Sequence, residues 1–385
     1  MKKIIICILL FHQLSLAQTY DVLFIGNSYT YYNDLPDMLS KISSSFGDSI
    51  FHDQNTPGGY SLYAHSQDQL TIDKINQQNW DYVVLQDQSQ RPSLSPAYVS
   101  TAVFPYAQQL VDLIYQNYNC TEPLFYMTWG RKNGDLTNCV NYPPVCTYLG
   151  MQERLRDSYI SMGINNNATV SPVGIAFKNA IALDSTIELY NNDNSHPSIY
   201  GTYLAACVFY STIFKKSSIG SLFVPSAISA SDALFLQQIA SSTVLDSVLT
   251  WNIFNSNYSY SVNGTSVDFL NISSNFENCI WDFGDGSFSS IESPSHNFLV
   301  PGAYNVKLTV YTNDWCLIDV IEEEIIITIS NLEEIHIITE KKNKYLDIFG
   351  RITDSKSKGL KFLINNDGKI TKKFICSTSS PRKPG

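Results

Sequence analysis

Residues 22–28 read VLFIGNS, four consecutive apolar residues that lead directly into Gly26, Asn27 and Ser28. A short apolar run that ends at a glycine is typical of a buried strand. A stretch of helical length follows at 35–46, so the segment predicts a strand that turns sharply into a helix. Ser28 would lie on that turn, where N–H groups at a helix start can stabilise a developing anion. The alternative is an ordinary helix-capping serine.

The same alternation of strand and helix continues to about residue 249. Strand-like runs lie at 22–25, 82–85, 124–127 and 170–173, and stretches of helical length lie at 35–46, 97–118, 150–162 and 200–214. This pattern predicts an α/β fold with a parallel sheet and helices on both faces. In such sheets the chemistry lies just beyond the carboxyl ends of the strands.

Length and charge restrict the classes of protein. The chain has 385 residues, 44% of them hydrophobic and 16% charged, which indicates two or three folded domains. The net charge is −10, but residues 341–385 hold twelve lysines and arginines against three aspartates, which leaves roughly −19 for the rest. An acidic body repels a phosphate backbone, so we expect no nucleic-acid partner.

The amino terminus predicts export. Two lysines precede the apolar run 4–11, and Ser15-Leu16-Ala17 places small residues where a signal peptidase cleaves. The run is far shorter than the ~20 residues that span a bilayer. We therefore expect residues 1–18 to be a signal peptide, and the mature protein to be secreted or held at the cell surface without a transmembrane anchor.

Cysteines fit an oxidising compartment. Loss of Cys7 with the leader would leave seven, so at least one thiol stays free. Cys139 and Cys146 enclose a short loop and form a natural pair. Cys279 and Cys316 flank a β-rich segment and are a second candidate pair. With no C-x-x-C motif and no zinc-type Cys/His cluster, we predict no metal site.

A second motif lies far downstream, in the stretch DNSHP at residues 193–197. Asp193 precedes His196 by three residues, so its carboxylate can fix the tautomer of the imidazole while the other ring nitrogen takes a proton from a serine. The motif alone is weak evidence. Together with Ser28 near the other end of one α/β pattern, it is stronger.

This combination resembles the SGNH (GDSL-like) hydrolase superfamily over residues 20–250. The first block matches at 24–30, the stretch TPGGYSL at 56–62 resembles the second, and 193–201 matches the last. The resemblance implies a three-layer, flavodoxin-like α/β/α sandwich. It also implies Ser28 as nucleophile, His196 as general base and then acid, and Asp193 as its orienting partner. The N–H groups of Ser28 and Gly59 would form part of the oxyanion hole, and no cofactor is needed.

The third block departs from the family. The usual asparagine is absent, and the stretch QDQSQRP follows the strand at 82–85. A glutamine carboxamide offers the same N–H donor, so Gln86 or Gln88 is predicted as the third oxyanion donor. An ungapped comparison selects Gln90 instead. The alternative is a solvated loop.

Two further residues are candidates for substrate binding. Trp129 and Arg131 follow the strand at 124–127, on the predicted active side of the sheet. An aromatic ring beside a cation suits a sugar or a carboxylate, while the alternative makes Trp129 a core residue and Arg131 a surface charge. His52 and His65 have no motif around them and are predicted to be structural or exposed.

Residues 251–330 closely resemble a PKD domain. The stretch WDFGDG at 281–286 and the stretch PGAYNV at 301–306 carry this resemblance. It implies an all-β, immunoglobulin-like sandwich that serves as a spacer or a binding surface. Asp282 and Asp285 suggest calcium, but a tight turn explains them without a metal. Residues 331–385 resemble the C-terminal sorting domain of type IX secretion in Bacteroidetes, which implies a small β domain and the secretion machinery as a partner.

We therefore predict a secreted protein in which residues 19–250 form a serine esterase domain. A PKD-like domain and a sorting tail follow it. Its substrate would be an acyl ester, acetyl above all, on carbohydrate. The alternative is a non-catalytic glycan-binding protein or adhesin with a degenerate hydrolase domain. Transfer of acyl groups between sugars would use the same residues.

Overall fold

The computed structural model describes residues 17–328 in full, together with the backbone of four strands between residues 344 and 375. The predicted signal peptide lies outside the described residues except for its last two positions. Most of the predicted tail at 331–385 also lies outside them.

Five parallel strands form the central sheet of the first domain. They are β1 (Thr19–Ile25), β2 (Ser49–Asn55), β3 (Tyr82–Leu85), β4 (Glu122–Tyr126) and β5 (Thr169–Ser171). They lie in the order β2-β1-β3-β4-β5, and every neighbouring pair is parallel. This is the flavodoxin-like order, which places a crevice between β1 and β3, where the direction of winding reverses. The predicted α/β fold is confirmed.

Helices connect and cover these strands. They are α1 (Ser28–Tyr31), α2 (Leu35–Ser45), α3 (Leu62–Gln67), α4 (Gln69–Ile75), α5 (Pro96–Ala102), α6 (Phe104–Asn117), α7 (Tyr148–Asn165), α8 (Val173–Leu183), α9 (Ile199–Phe214) and α10 (Ala230–Leu245). The stretch 97–118, predicted as one helix, is divided at Val103. Pro105 in the first turn of α6 has no N–H and cannot continue a helix from α5.

The core of this domain packs tightly around the end of β1. Val22, Leu23, Phe24 and Ile25 are buried on both faces of the sheet. Helix α9 buries fourteen of its sixteen residues and packs against α2 and α10. Since both elements are fixed by apolar burial, the residues at the end of β1 and at the start of α9 are held in place by the core.

A second domain is all-β. Its strands are β6 (Tyr258–Asn263), β7 (Ser266–Asn271), β8 (Asn278–Asp282), β9 (Phe288–Ser289), β10 (Ser295–Asn297), β11 (Gly302–Tyr311) and β12 (Leu317–Ile327). They form two antiparallel sheets in the orders β10-β7-β6 and β12-β11-β8-β9. Trp281 is fully buried between Tyr258 and Phe269, with ring centroids 5.0 Å from each. The predicted β-sandwich is confirmed.

The disulfide between Cys139 and Cys146 is confirmed. It closes the loop that follows β4. Cys207 is buried within α9 as a free thiol, in agreement with its apolar surroundings in the sequence. Burial raises the pKa of this thiol to about 12, which makes it unreactive.

The pairing of Cys279 with Cys316 is wrong. Cys316 is bonded to Cys120, which precedes β4 in the first domain. Cys279 lies in β8 opposite Val310 and is buried as a free thiol inside the sandwich. Cys316 lies in the turn between β11 and β12, and that turn faces the first domain. The disulfide therefore joins the two domains, instead of closing the sandwich.

The C-terminal region forms a small antiparallel sheet. Its strands are β13 (Lys344–Leu346), β14 (Ile352–Thr353), β15 (Gly359–Ile364) and β16 (Ile370–Ile375), in the order β14-β13-β15-β16. No helix in the described part of the chain combines the length and the hydropathy needed to cross a membrane.

Candidate active site

Three predicted side chains form one hydrogen-bonded chain. The Ser28 hydroxyl lies 2.8 Å from Nε2 of His196, and Nδ1 of the same ring is hydrogen-bonded to Oδ2 of Asp193. Because the carboxylate can accept only, Nδ1 carries the proton and Nε2 is free to accept from Ser28. Ser28 follows β1 and His196 precedes α9, so the core fixes both ends of this chain.

Asn27 determines the conformation of the turn that presents Ser28. Its side-chain oxygen caps α1 by accepting from the N–H of Tyr29. Its Nδ2 donates to the carbonyl of Tyr60 at 2.8 Å and to that of Asp87 at 3.3 Å. One buried asparagine therefore connects the turn after β1 with the loops after β2 and β3.

The turn at 193–197 orients His196. Oδ1 of Asp193 accepts from the N–H groups of Ser195 and His196, at 3.0 and 2.9 Å. These bonds leave Oδ2 to face the imidazole. Burial acts to raise the pKa of Asp193, but the hydrogen bonds from His196 and Ser195 outweigh it, and the pKa lies below its usual value. Asp193 is therefore ionised whenever His196 must act as a base.

Trp129 supports this turn and does not face substrate, so its prediction as a substrate-binding residue is wrong. Its ring is fully buried and is stacked between Tyr29 and Phe177, at centroid distances of 4.6 and 4.1 Å. Its Nε1 donates to the carbonyl of Ser195 at 3.0 Å. Trp129 is a core residue, which was the alternative interpretation of its position in the sequence.

Tyr32 packs directly against His196. Its ring stacks on His196 at 4.3 Å with an interplanar angle of 18°. The next two residues, Asn33 and Asp34, have φ of 52° and 54°, a left-handed conformation that costs energy for residues other than glycine. Nδ2 of Asn33 donates to the hydroxyl of Thr202 in α9 at 2.9 Å, which anchors this turn beside the histidine.

Gly59 lies in the predicted second block. It is exposed and has a φ of 75°, which favours glycine at this position. The neighbouring Tyr60 accepts the bond from Asn27, so the Gly59 loop is attached to the turn that carries Ser28. Its role as an oxyanion donor stays a prediction.

The glutamines of the third block are engaged in other bonds. Gln86 is fully buried, its Oε1 accepts from the N–H of Asn27 at 2.9 Å and from the Thr30 hydroxyl at 3.0 Å, and its Nε2 donates to the carbonyl of Asp87. One of the two N–H donors of its carboxamide is therefore used inside the core, and its oxygen braces the turn of Ser28. Its role as an oxyanion donor stays a prediction.

Gln88 is half-buried and bonded within its own loop. Its Oε1 accepts from the N–H of Gln90 at 2.9 Å, and its Nε2 donates to Oε1 of Gln90 at 3.2 Å. Gln86 and Gln88 stay the predicted alternatives for the third oxyanion donor, with Gln90 as the residue that an ungapped comparison selects.

Arg131 lies at the edge of the site. Its Nη2 donates to the hydroxyl of Ser89 at 3.4 Å, and its guanidinium lies near the phenol of Tyr29. Tyr29 is buried and shares a 2.6 Å hydrogen bond with the hydroxyl of Ser195. Burial raises the pKa of Tyr29, so the phenol stays neutral. Arg131 stays a predicted substrate-binding residue.

Asp87 is a buried carboxylate behind the site. Its Oδ1 accepts from the N–H groups of Leu62 and Gln88, at 3.1 and 2.7 Å. Its Oδ2 has no hydrogen-bond partner among the described residues, and Nε of Arg91 lies 3.7 Å from Oδ1. Burial raises the pKa of Asp87 to about 6, although Arg91 acts in the opposite direction.

This burial leads to a stability prediction for Asp87→Asn. A raised carboxyl pKa favours the folded state only while the group is protonated. The stability that the folded protein gains from the protonated Asp87 carboxyl is therefore complete below about pH 4. This stability is lost as the pH rises through 6. Two pKa units correspond to about 3 kcal/mol. We expect the variant to be more stable than wild type at pH 8, with a weaker pH dependence between pH 4 and 7.

Thermal unfolding across that pH range measures the effect. Asp112→Asn, at an exposed position on α6, removes the same charge without burial and serves as the control. An Asp87→Asn variant with the pH dependence of wild type would contradict the prediction.

Other titratable residues have partners that explain them. Asp282 accepts from the N–H of Gly284, and Asp285 accepts from the N–H of Ser287 and pairs with His296 at 2.8 Å. These bonds fit the turn interpretation of the two aspartates. Among the described residues, no group of three or more His, Cys, Asp or Glu side chains is arranged to hold a metal ion.

Different known proteins are similar to the first domain and to the all-β domain. Residues 263–316 match the family model of the PKD domain. No curated protein matches the chain.

Three solved structures are similar to the first domain. A DUF4886 family protein from Bacteroides uniformis is 19% identical, with a TM-score of 0.51, over 59% of this chain and 95% of that chain. An SGNH hydrolase from Slackia heliotrinireducens is 26% identical, with a TM-score of 0.42, over 51% and 99%. An acetyl xylan esterase is 15% identical, with a TM-score of 0.38, over 50% and 99%. At 19% identity, the similarity to the DUF4886 family protein shows a shared fold alone.

Proposed function

We propose that the protein is a serine esterase that hydrolyses acyl esters through Ser28, His196 and Asp193. The observation that supports this most directly is the unbroken hydrogen-bonded chain from Asp193 through His196 to Ser28. It lies at the carboxyl end of β1, where α/β sheets bind their ligands. A nucleophile, a base and an orienting carboxylate within hydrogen-bond reach are the three groups that acyl transfer requires.

The mechanism follows from the direction of these hydrogen bonds. Oγ of Ser28 attacks the ester carbonyl carbon while Nε2 of His196 accepts the hydroxyl proton. The negative charge on the carbonyl oxygen is stabilised by the N–H groups of Ser28 and Gly59. The tetrahedral intermediate expels the alcohol, which takes the proton from His196, and leaves an acyl ester on Ser28. Water, activated by His196, then hydrolyses this ester and releases the acid.

An acetylated carbohydrate is the substrate class that we propose. The ring of Tyr31 is 44% exposed and stacks on that of Tyr32, which itself lies on His196. Flat aromatic rings beside the reacting atoms suit the apolar face of a sugar. Two disulfides favour an oxidising compartment, so we propose that the protein is exported, with the C-terminal region acting as a sorting domain.

Covalent labelling tests the proposal. A fluorophosphonate probe should modify Ser28 alone, as located by mass spectrometry. The purified protein should also release acetate from p-nitrophenyl acetate and from acetylated xylan, with Ser28→Ala as the blank. A wild-type protein that neither reacts with the probe nor releases acetate, yet binds acetylated glycans, would replace this proposal with the non-catalytic glycan-binding function.

A further inference from the structure

A second histidine lies directly behind the turn that carries the nucleophile. His65, in α3, is fully buried, and both of its ring nitrogens have partners. Its Nε2 lies 2.8 Å from the carbonyl oxygen of Gly26, and its Nδ1 lies 2.8 Å from the hydroxyl of Thr71. Oδ2 of Asp68 lies 3.0 Å from the same hydroxyl. The result is a chain of four groups that ends two residues before Ser28.

The chemistry of these groups fixes the tautomer of His65. The carbonyl of Gly26 can accept only, so Nε2 must carry a proton. In the neutral ring, Nδ1 accepts from the hydroxyl of Thr71. In the protonated ring, Nδ1 donates to that oxygen, and the hydroxyl donates to Asp68. The bond from Nε2 to Gly26 is the same in both states. Burial lowers the pKa of His65, which favours the neutral ring.

The carbonyl of Gly26 matters because the neighbouring N–H groups of Gly26 and Asn27 are also engaged in hydrogen bonds. The N–H of Gly26 donates to the carbonyl of Asn55 at 3.1 Å, and the N–H of Asn27 donates to Gln86. A Cβ at Gly26 would lie 2.8 Å from Oε1 of Gln86, so the turn is also tightly packed. Without His65, a buried carbonyl loses its partner, and such a group moves to find another.

We infer that His65 is a positioning residue for the nucleophile, acting through the Gly26 carbonyl. The inference rests on the proposed function. Ser28 must hold its 2.8 Å contact with His196 for the proton to transfer. A displacement of about 1 Å in such a site lowers the rate by about 100-fold. His65 touches neither substrate nor the reacting atoms, and its effect should fall on kcat and leave KM unchanged.

Two substitutions of similar size separate this role from ordinary packing. The side-chain nitrogen of Gln can occupy the position of Nε2, so His65→Gln keeps a donor for Gly26. His65→Asn reaches only the position of Nδ1, so it keeps the contact with Thr71 and loses the one with Gly26. Thr71→Val removes the partner of Nδ1 and leaves the Gly26 bond intact.

The experiment compares kcat, KM and the rate of fluorophosphonate labelling in these variants, with melting temperature as the measure of folding. We expect His65→Asn to lower kcat and the labelling rate by about 10- to 100-fold. His65→Gln should retain most of both, and Thr71→Val should lose stability with little loss of kcat. If Gln and Asn lower kcat equally at equal stability, or if the change lies in KM, His65 is not a positioning residue.

A second measurement is independent of turnover. Hydrogen exchange at the backbone N–H groups of residues 26–31 should be faster in His65→Asn than in His65→Gln. Suppose that wild type hydrolyses no ester while His65→Asn still exchanges faster than His65→Gln. That result would support the positioning role although the proposed function fails. Equal exchange in both variants of an active enzyme would reject the positioning role alone.

Discussion

Replacing Asp193 by Asn is expected to lower kcat for ester hydrolysis by about 10⁴-fold, with little change in KM or in melting temperature. Oδ1 of Asp193 accepts from two backbone N–H groups, those of Ser195 and His196. An asparagine will keep its oxygen there, because its NH₂ group cannot accept from them. The NH₂ group must then face Nδ1 of His196.

That orientation fixes the wrong tautomer. A donor at Nδ1 forces the proton of His196 onto Nε2, where it points at Ser28 and cannot accept a proton from it. The variant keeps the shape of the site and loses its base. Steady-state kinetics with p-nitrophenyl acetate measure the loss, and nitrogen NMR of His196 reports the tautomer.

Asp184 offers a matched control. Its Oδ1 accepts from the N–H of Thr186 at 2.9 Å, in a local turn like that of Asp193, but no histidine is bonded to it. Asp184→Asn should therefore keep full activity. If Asp193→Asn retains more than about a tenth of kcat, Asp193 does not orient the base, and the mechanism needs another partner for His196.

The sequence predicted the hydrogen-bonded group of Ser28, His196 and Asp193 because the motifs that carry these residues are local. Ser28 follows an apolar strand, and the three-residue spacing from Asp193 to His196 is set within one turn. The parallel sheet then brings both turns to one edge, as the alternation of strands and helices indicates. Fold class and the three central residues follow from patterns of this kind.

Residues whose roles depend on long-range contacts could not be assigned in this way. Trp129 follows β4 as a binding residue would, but its ring fills the space between Tyr29 and Phe177, far apart in the chain. Gln86 was predicted from its carboxamide alone, and its sequence position does not show that its oxygen accepts from two groups of the Ser28 turn. Hydrogen-bond partners of this kind are determined by packing and leave no local signal.

Tyr32 and His65 contact the site, but no sequence motif indicates their roles. Neither lies in a recognised motif, yet one stacks on His196 and the other bonds to Gly26. For His65, one weak signal was present: a histidine in the helix that directly follows the glycine-rich second block. A polar residue buried at that place has to find a partner, and the turn of Ser28 is its neighbour.

The domain-joining disulfide contributes the largest stability effect that we expect. Cys120 and Cys316 are separated by 196 residues, and the loss of loop entropy in the unfolded chain is about 5 kcal/mol for a loop of this length. The same calculation gives about 2 kcal/mol for Cys139 and Cys146, which are separated by 7 residues. Replacing both cysteines of a pair by serine avoids a new free thiol.

Other contacts near Cys316 should not replace the disulfide. Lys215 donates to the carbonyl of Ile318 at 3.1 Å and lies 3.7 Å from Asp319. Such partly exposed polar contacts are worth about 1 kcal/mol each. Without the covalent bond, the all-β domain should therefore detach from the first domain before either unfolds.

We expect Cys120→Ser/Cys316→Ser to lower the melting temperature more than Cys139→Ser/Cys146→Ser, and to increase the radius of gyration measured by small-angle X-ray scattering. Activity should be retained, because Cys120 precedes β4 whereas Ser28, His196 and Asp193 lie beyond the opposite ends of the strands. If the two double variants melt alike and the first stays compact, noncovalent packing alone joins the domains. Lost activity without lost stability would instead mean that the all-β domain acts on the catalytic edge, contrary to the position of the disulfide.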